Sequence, residues 1–115
     1  MDNSLITYDN IIIGLNKLGI ASYHQDTNQL VVSSSLPISP KSSNSLWVTF
    51  IKNTWYIVTW APHAYSIPNK TDIVSLIYDC IKYSNVTIWD IPESIIHKYK
   101  LNHLTDSELV TILGM

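Results

Sequence analysis

The sequence predicts an α+β fold: an antiparallel sheet of four to five strands, packed by an N-terminal and a central helix, with a short helical hairpin at the C-terminus. Three observations carry this expectation. Apolar residues recur at helical steps between positions 73 and 81, β-branched and aromatic residues alternate on both sides of a polar turn between 46 and 60, and 115 residues suffice for one core but not two. The chain is therefore expected to be a single domain over 1–115, with the sheet and two helices in 1–88 and a helical tail in 89–115.

The first element is a helix of about three turns ending at Leu18, because Tyr8, Ile11, Ile12, Leu15 and Leu18 recur every three or four residues. Ser4 or Thr7 can cap its start, and Gly19 fits the left-handed position just past its end. Ile20 to His24 and Leu30 to Ser34 then read as two strands joined by a turn at Asp26-Thr27-Asn28. Ser33 to Ser45 is rich in Ser, Pro, Lys and Asn and reads as a long connecting loop.

Leu46 to Ile51 and Trp55 to Trp60 form the central hairpin, with Lys52-Asn53-Thr54 as its turn. Alternation places Trp47, Thr49 and Ile51 on one face and Leu46, Val48 and Phe50 on the other. Both faces carry apolar side chains, which predicts strands central to the sheet. Pro62 interrupts the pattern and Pro68 ends it, so Ala64 to Ile67 is expected as a short extension or edge strand. The central helix follows from Ile73, Leu76, Ile77, Cys80 and Ile81, with Asn69 and Asp72 resembling a capping arrangement. Val86 to Ile88 can add one more short strand. In the tail, Asp90-Ile91-Pro92-Glu93 and Thr105-Asp106-Ser107-Glu108 both have the form of a capping box, which predicts two short helices joined around Leu101 to Leu104.

Composition removes several function classes. Hydrophobic residues are 46% and charged residues only 14%, which argues against disorder and for a surface of Ser, Thr, Asn and apolar atoms. The net charge of −2 includes no Arg, and the Lys residues are scattered, so nucleic-acid binding is not expected. No apolar run is long enough to span a bilayer, and the first residues do not have the pattern of a signal peptide, so a cytoplasmic protein without membrane attachment is expected.

Candidate chemistry is sparse. The four His residues at 24, 63, 97 and 103 match no metal motif, and His97, His103 and Asp106 could converge only if the tail folds back on itself. Cys80 is the single cysteine; its place on the apolar stripe of a helix reads as structural rather than as a nucleophile served by His63. No phosphate-binding glycine loop or carboxylate pair is present in the sequence, so no catalytic residues, metal or cofactor are assigned. The aromatic segment is the most informative feature. Trp47, Trp55, Tyr56, Trp60, His63 and Tyr65 are the candidate binding residues, since rings that a small core cannot accommodate become contact surface. The competing expectation is that alternate rings pack into the core. On this basis the chain is read as a non-enzymatic protein-interaction module, an adaptor, inhibitor or regulatory subunit that binds a protein partner or a second copy of itself. The alternative is a small-ligand-binding domain with an aromatic pocket between sheet and helix, walled by Trp47, Tyr56 or Trp60.

Overall fold

The computed structural model describes residues 7–19, 21–26, 29–33, 45–59, 63–84 and 91–114. The strands are β1 (Ala21–Asp26), β2 (Gln29–Ser33), β3 (Ser45–Ile51), β4 (Thr54–Val58), β5 (Ala64–Ile67) and β6 (Asn102–His103). The helices are α1 (Tyr8–Lys17), α2 (Ile73–Ser84), α3 (Glu93–Tyr99) and α4 (Asp106–Glu108), the last running on through Leu109–Leu113 in a wider π-type winding. The fold is mixed α+β in the expected order of helix, strands, helices. Neighbours in the sheet are neighbours in the chain, β1 to β6 in sequence order, and every pair is antiparallel. The strand beyond the expected four to five is β6, only two residues long.

Period-2 alternation sorts the side chains onto two faces, as expected for the hairpin. Val48, Trp55, Ile57, Tyr65 and Ile67 face one way and pack with Ile11 and Leu15 of α1, Ile73, Leu76, Ile77 and Cys80 of α2, and Ile95 of α3. Tyr56, Val58 and Ala64 face the other way, joined by Trp47 and Ile51 and covered by Leu109, Ile112 and Leu113 from the end of the chain. The sheet is thus sandwiched between a layer of helices and the C-terminal winding.

The crossing from one face to the other is made by β6. Leu101 packs in the first core and Leu104 in the second, because three residues apart along an extended chain means opposite faces. The Leu104 N–H donates to the Ala64 carbonyl at 2.9 Å, fixing the crossover to β5. The two tail helices therefore stand on either side of a strand and serve different faces, rather than docking together at one end of the sheet.

Local signals explain most boundaries. Thr7 caps α1, its hydroxyl accepting from the Asn10 N–H at 3.2 Å, and Gly19 follows the helix at φ 78°. The Tyr8 hydroxyl accepts the Phe50 N–H at 2.7 Å, just past the end of the β2–β3 pairing at Gln29 and Thr49, so a side chain takes the place of a ladder partner. Lys52 and Asn53 have φ 48° and 66°, the sign pattern of a two-residue type I′ hairpin turn, with Thr54 already paired to Ile51. Thr105 and Glu108 form the complete capping box.

Three expectations are corrected. The cap of α2 is Asp72 rather than Asn69: its carboxylate accepts from the Ser75 N–H at 3.1 Å and the Ser75 hydroxyl at 2.9 Å, while Asn69 lies in the turn before it. The cap position of α3 is Pro92, which has no side-chain acceptor, and Glu93 is the first helical residue rather than the third. Leu18 is not part of the buried stripe of α1; the helix ends at Lys17, and Leu18 turns outward with 48% of its surface exposed. Ser4, Thr27, Asn28, the interior of the Ser-rich loop, Trp60 to Pro62, Val86 to Ile88 and Asp90 lie outside the described residues.

Candidate functional site

Four of the six candidate binding residues are rings of the two cores. Trp55 and Tyr65 are buried on the face under α1 and α2, where Trp55 meets Tyr8 edge-on at 5.1 Å and Phe50 at 4.9 Å. Tyr56 is buried on the opposite face and Trp47 is half-buried beside it, both against the C-terminal winding. Leu109, Ile112 and Leu113 pack against this face of the hairpin. Alternation divides these rings between faces, so the structure does not gather them into one surface.

Trp60 lies outside the described residues, but the base of its segment is well defined. The Thr59 N–H donates to the His63 carbonyl at 2.9 Å, the Thr59 hydroxyl donates to the same carbonyl at 3.3 Å, and the His63 N–H donates to that hydroxyl at 3.2 Å. Thr59 is buried, so these bonds hold together the two ends of the connection that contains Pro62. The last candidate, His63, leads onto the edge of the sheet. Its ring lies 5.0 Å from that of His103, which in turn stacks on Tyr65 at 5.0 Å.

The polar groups with perturbed acidity lie elsewhere. Asp79 of α2 accepts from Lys98 Nζ at 2.8 Å and from the Tyr99 hydroxyl at 2.5 Å, tying α2 to α3. Burial raises the pKa of this carboxyl, but the two hydrogen bonds and the Lys98 and Lys82 charges outweigh it and hold the pKa below the usual value of 3.8. Burial, reinforced by Asp79, raises the Tyr99 phenol above its usual 10. Cys80 is fully buried among the apolar side chains of the first core, and burial followed by the Asp79 charge pushes its thiol up to about 12. Such a thiol is a packing group and not a nucleophile. Among the described residues no three His, Cys, Asp or Glu side chains stand close enough to hold a metal ion together, so His97, His103 and Asp106 do not converge.

The outer flank of α1 presents a groove, and the sequence did not single it out. Asn10, Ile13, Gly14 and Lys17 fall on one helical stripe and, with Asp72, Ile73 and Val74 at the start of α2, line a groove of about 350 Å³. Ile11 and Ile73 are almost fully buried and form its floor, whereas Ile13 is 54% exposed. Gly14 permits this approach of the helices: a Cβ there would stand 2.8 Å from Val74 Cγ2. The available signal was Ile13 itself, an apolar residue off the buried stripe of an otherwise amphipathic helix.

No helix among the described residues is long and apolar enough to cross a membrane. Compared with known proteins, the chain matches no family model, no curated protein and no solved structure.

Proposed function

We propose that the protein is a non-enzymatic protein-interaction module, an adaptor, inhibitor or regulatory subunit, and that its docking surface is the α1 flank rather than the aromatic hairpin. The observation that carries this reading is the groove between α1 and the start of α2, with Ile13 exposed in its wall and Leu18 exposed at the end of the same helix. The occupant this shape suits is an amphipathic helix of a protein partner. A wall from α1, the first turn of α2 opposite it, an apolar floor and the opposite charges of Lys17 and Asp72 in the lining match the helix-in-groove mode of recognition. The absence of Arg supports a protein partner over a nucleic acid, and a single cysteine, which leaves no intrachain disulfide, is in keeping with a cytoplasmic setting.

The test is site-specific photo-crosslinking in cells, with the crosslinker at Ile13 and, as control, at exposed Thr111. The reading requires one defined protein captured from position 13, absent from position 111, and lost when Leu18→Asp is added. Capture independent of Leu18, or equal from both positions, refutes it. A second reading is favoured by the size of the groove, which falls in the range of small-ligand pockets of about 300–1,000 Å³. An apolar small molecule would then rest on Ile11 and Ile73 with Lys17 and Asp72 as polar handles. Shifts of the Gly14 and Val74 amide resonances with a metabolite panel, unaffected by Leu18→Asp, would favour this ligand role over the protein partner.

A further inference from the structure

We propose that His63 and His103 form a binding site for a divalent late transition-metal ion at the β5–β6 edge of the sheet. Strand pairing brings them together. Tyr65 is opposite His103 in the register, and His63 precedes Tyr65 by two residues, so all three side chains project from the same face. The His63 and His103 ring centroids are 5.0 Å apart.

That separation fits one shared ion. With a metal–nitrogen bond of about 2.0–2.1 Å and a nitrogen about 1.1 Å from the ring centre, each centroid stands about 3.2 Å from the metal. Two imidazoles at the tetrahedral angle then have centroids about 5.2 Å apart, and at a right angle about 4.5 Å apart. The observed distance lies between these limits. The rings stand at 71° to each other. Aiming one nitrogen of each at a common point is a rotation about χ2, which leaves the centroids nearly in place. His103 is exposed and His63 half-buried, so an ion has access and water can complete its coordination. Imidazole ligands favour Cu²⁺, Ni²⁺ and Zn²⁺ over the hard cations, with Cu²⁺ bound most tightly.

His103 also stacks on Tyr65, with ring planes 27° apart, so a purely structural role must be separated from ligation. His103→Phe retains a ring over Tyr65 and removes the ligand. Calorimetric titration of the full chain with Zn²⁺ and Cu²⁺ is expected to show one site that weakens at least tenfold in His103→Phe and in His63→Phe, and that is unchanged in His97→Ala. In the unsubstituted protein, substoichiometric Cu²⁺ should broaden the ring proton resonances of His63 and His103 together, ahead of those of His24 and His97, which needs no variant to fold. Undiminished affinity in His103→Phe, broadening centred on other residues, or no binding by the unsubstituted protein would each overturn the proposal.

Discussion

Substituting Gly14 by Ala opposes two effects of known sign, and the structure decides between them. In a helix interior, Gly→Ala stabilises by about 0.5–1 kcal/mol, because Gly has more backbone freedom to lose on folding. Here the added Cβ would stand 2.8 Å from Val74 Cγ2 and 3.3 Å from Cγ1. Valine is short and stiff at χ1, so relief must come from a shift of α1 against α2, and overpacking of this kind costs about 1–3 kcal/mol. Gly14→Ala should therefore be destabilising by about 1 kcal/mol. Removing the obstacle reverses the sign: in a Val74→Ala background, the same substitution should stabilise by about 0.5–1 kcal/mol, a coupling of about 1.5–2 kcal/mol between the sites. Urea unfolding followed by tryptophan fluorescence, with Trp55 buried in the same core, measures all four proteins. At a typical slope of 1–3 kcal/mol per molar, the midpoint for Gly14→Ala should fall by about half a molar. If Gly14→Ala raises stability in the Val74 protein, propensity is unopposed and the close approach of α1 to α2 is wrong.

Three further outcomes are expected. Asp79 has a lowered pKa in the folded state, so its contribution is present above the unfolded value of 3.8 and is lost as pH falls through the folded one; Tyr99 has a raised pKa, so its contribution is present below about 10 and is lost as pH rises. Tyr99→Phe should cost about 1.5–3 kcal/mol near neutrality and flatten the alkaline limb of a pH–stability curve, while Lys98→Ala, at an exposed cation, should cost under about 1 kcal/mol. Cys80, with its thiol pushed up to about 12, should react with a disulfide reagent at pH 8 only at the rate of global unfolding; rapid labelling of the native protein would show that the first core is open at α2. Thr105→Ala should cost about 1 kcal/mol and speed amide exchange in residues 106–113 ahead of the sheet, measured by hydrogen-exchange mass spectrometry.

The division between what the sequence revealed and what it did not follows the range of the interactions. The α2 stripe and the two faces of β3 and β4 were legible because periodicity is local and burial merely confirms it. The capping box at Thr105 was legible for the same reason. Asn69 and Asp72 were both plausible caps, and only the position of the first helical turn, decided by Ile73 entering the core, selects Asp72. The exposure of Leu18 was hidden because the stripe continues through it, while the helix stops one residue earlier. Strand β6 was invisible: two residues, Asn102 and His103, have no strand propensity of their own and are extended only because β5 offers an edge to pair with.

That last point bears on where function can reside. An aromatic hairpin reads as surplus ring area as long as the core is too small to accommodate every ring, and the candidate set of Trp47, Trp55, Tyr56 and Tyr65 rests on that expectation. Once β6 carries the chain around the edge, Leu109, Ile112 and Leu113 supply the second cover, and rings on both faces acquire apolar neighbours. The excess apolar area implied by a chain with only 14% charged residues must then appear somewhere other than the sheet. Among the described residues it appears on both outer layers, at Ile13, Leu18 and Tyr78 of the helical layer and at Val110 of the C-terminal winding, while the crossover that closes the second face also creates the His63–His103 pair at the rim. Both candidate surfaces thus follow from the same topology, but they depend on it unequally. Displacing β6 separates His103 from His63 and leaves the α1 groove intact, so Leu104→Ala, which removes the buried anchor just after β6, should weaken metal binding while leaving capture from Ile13 unchanged.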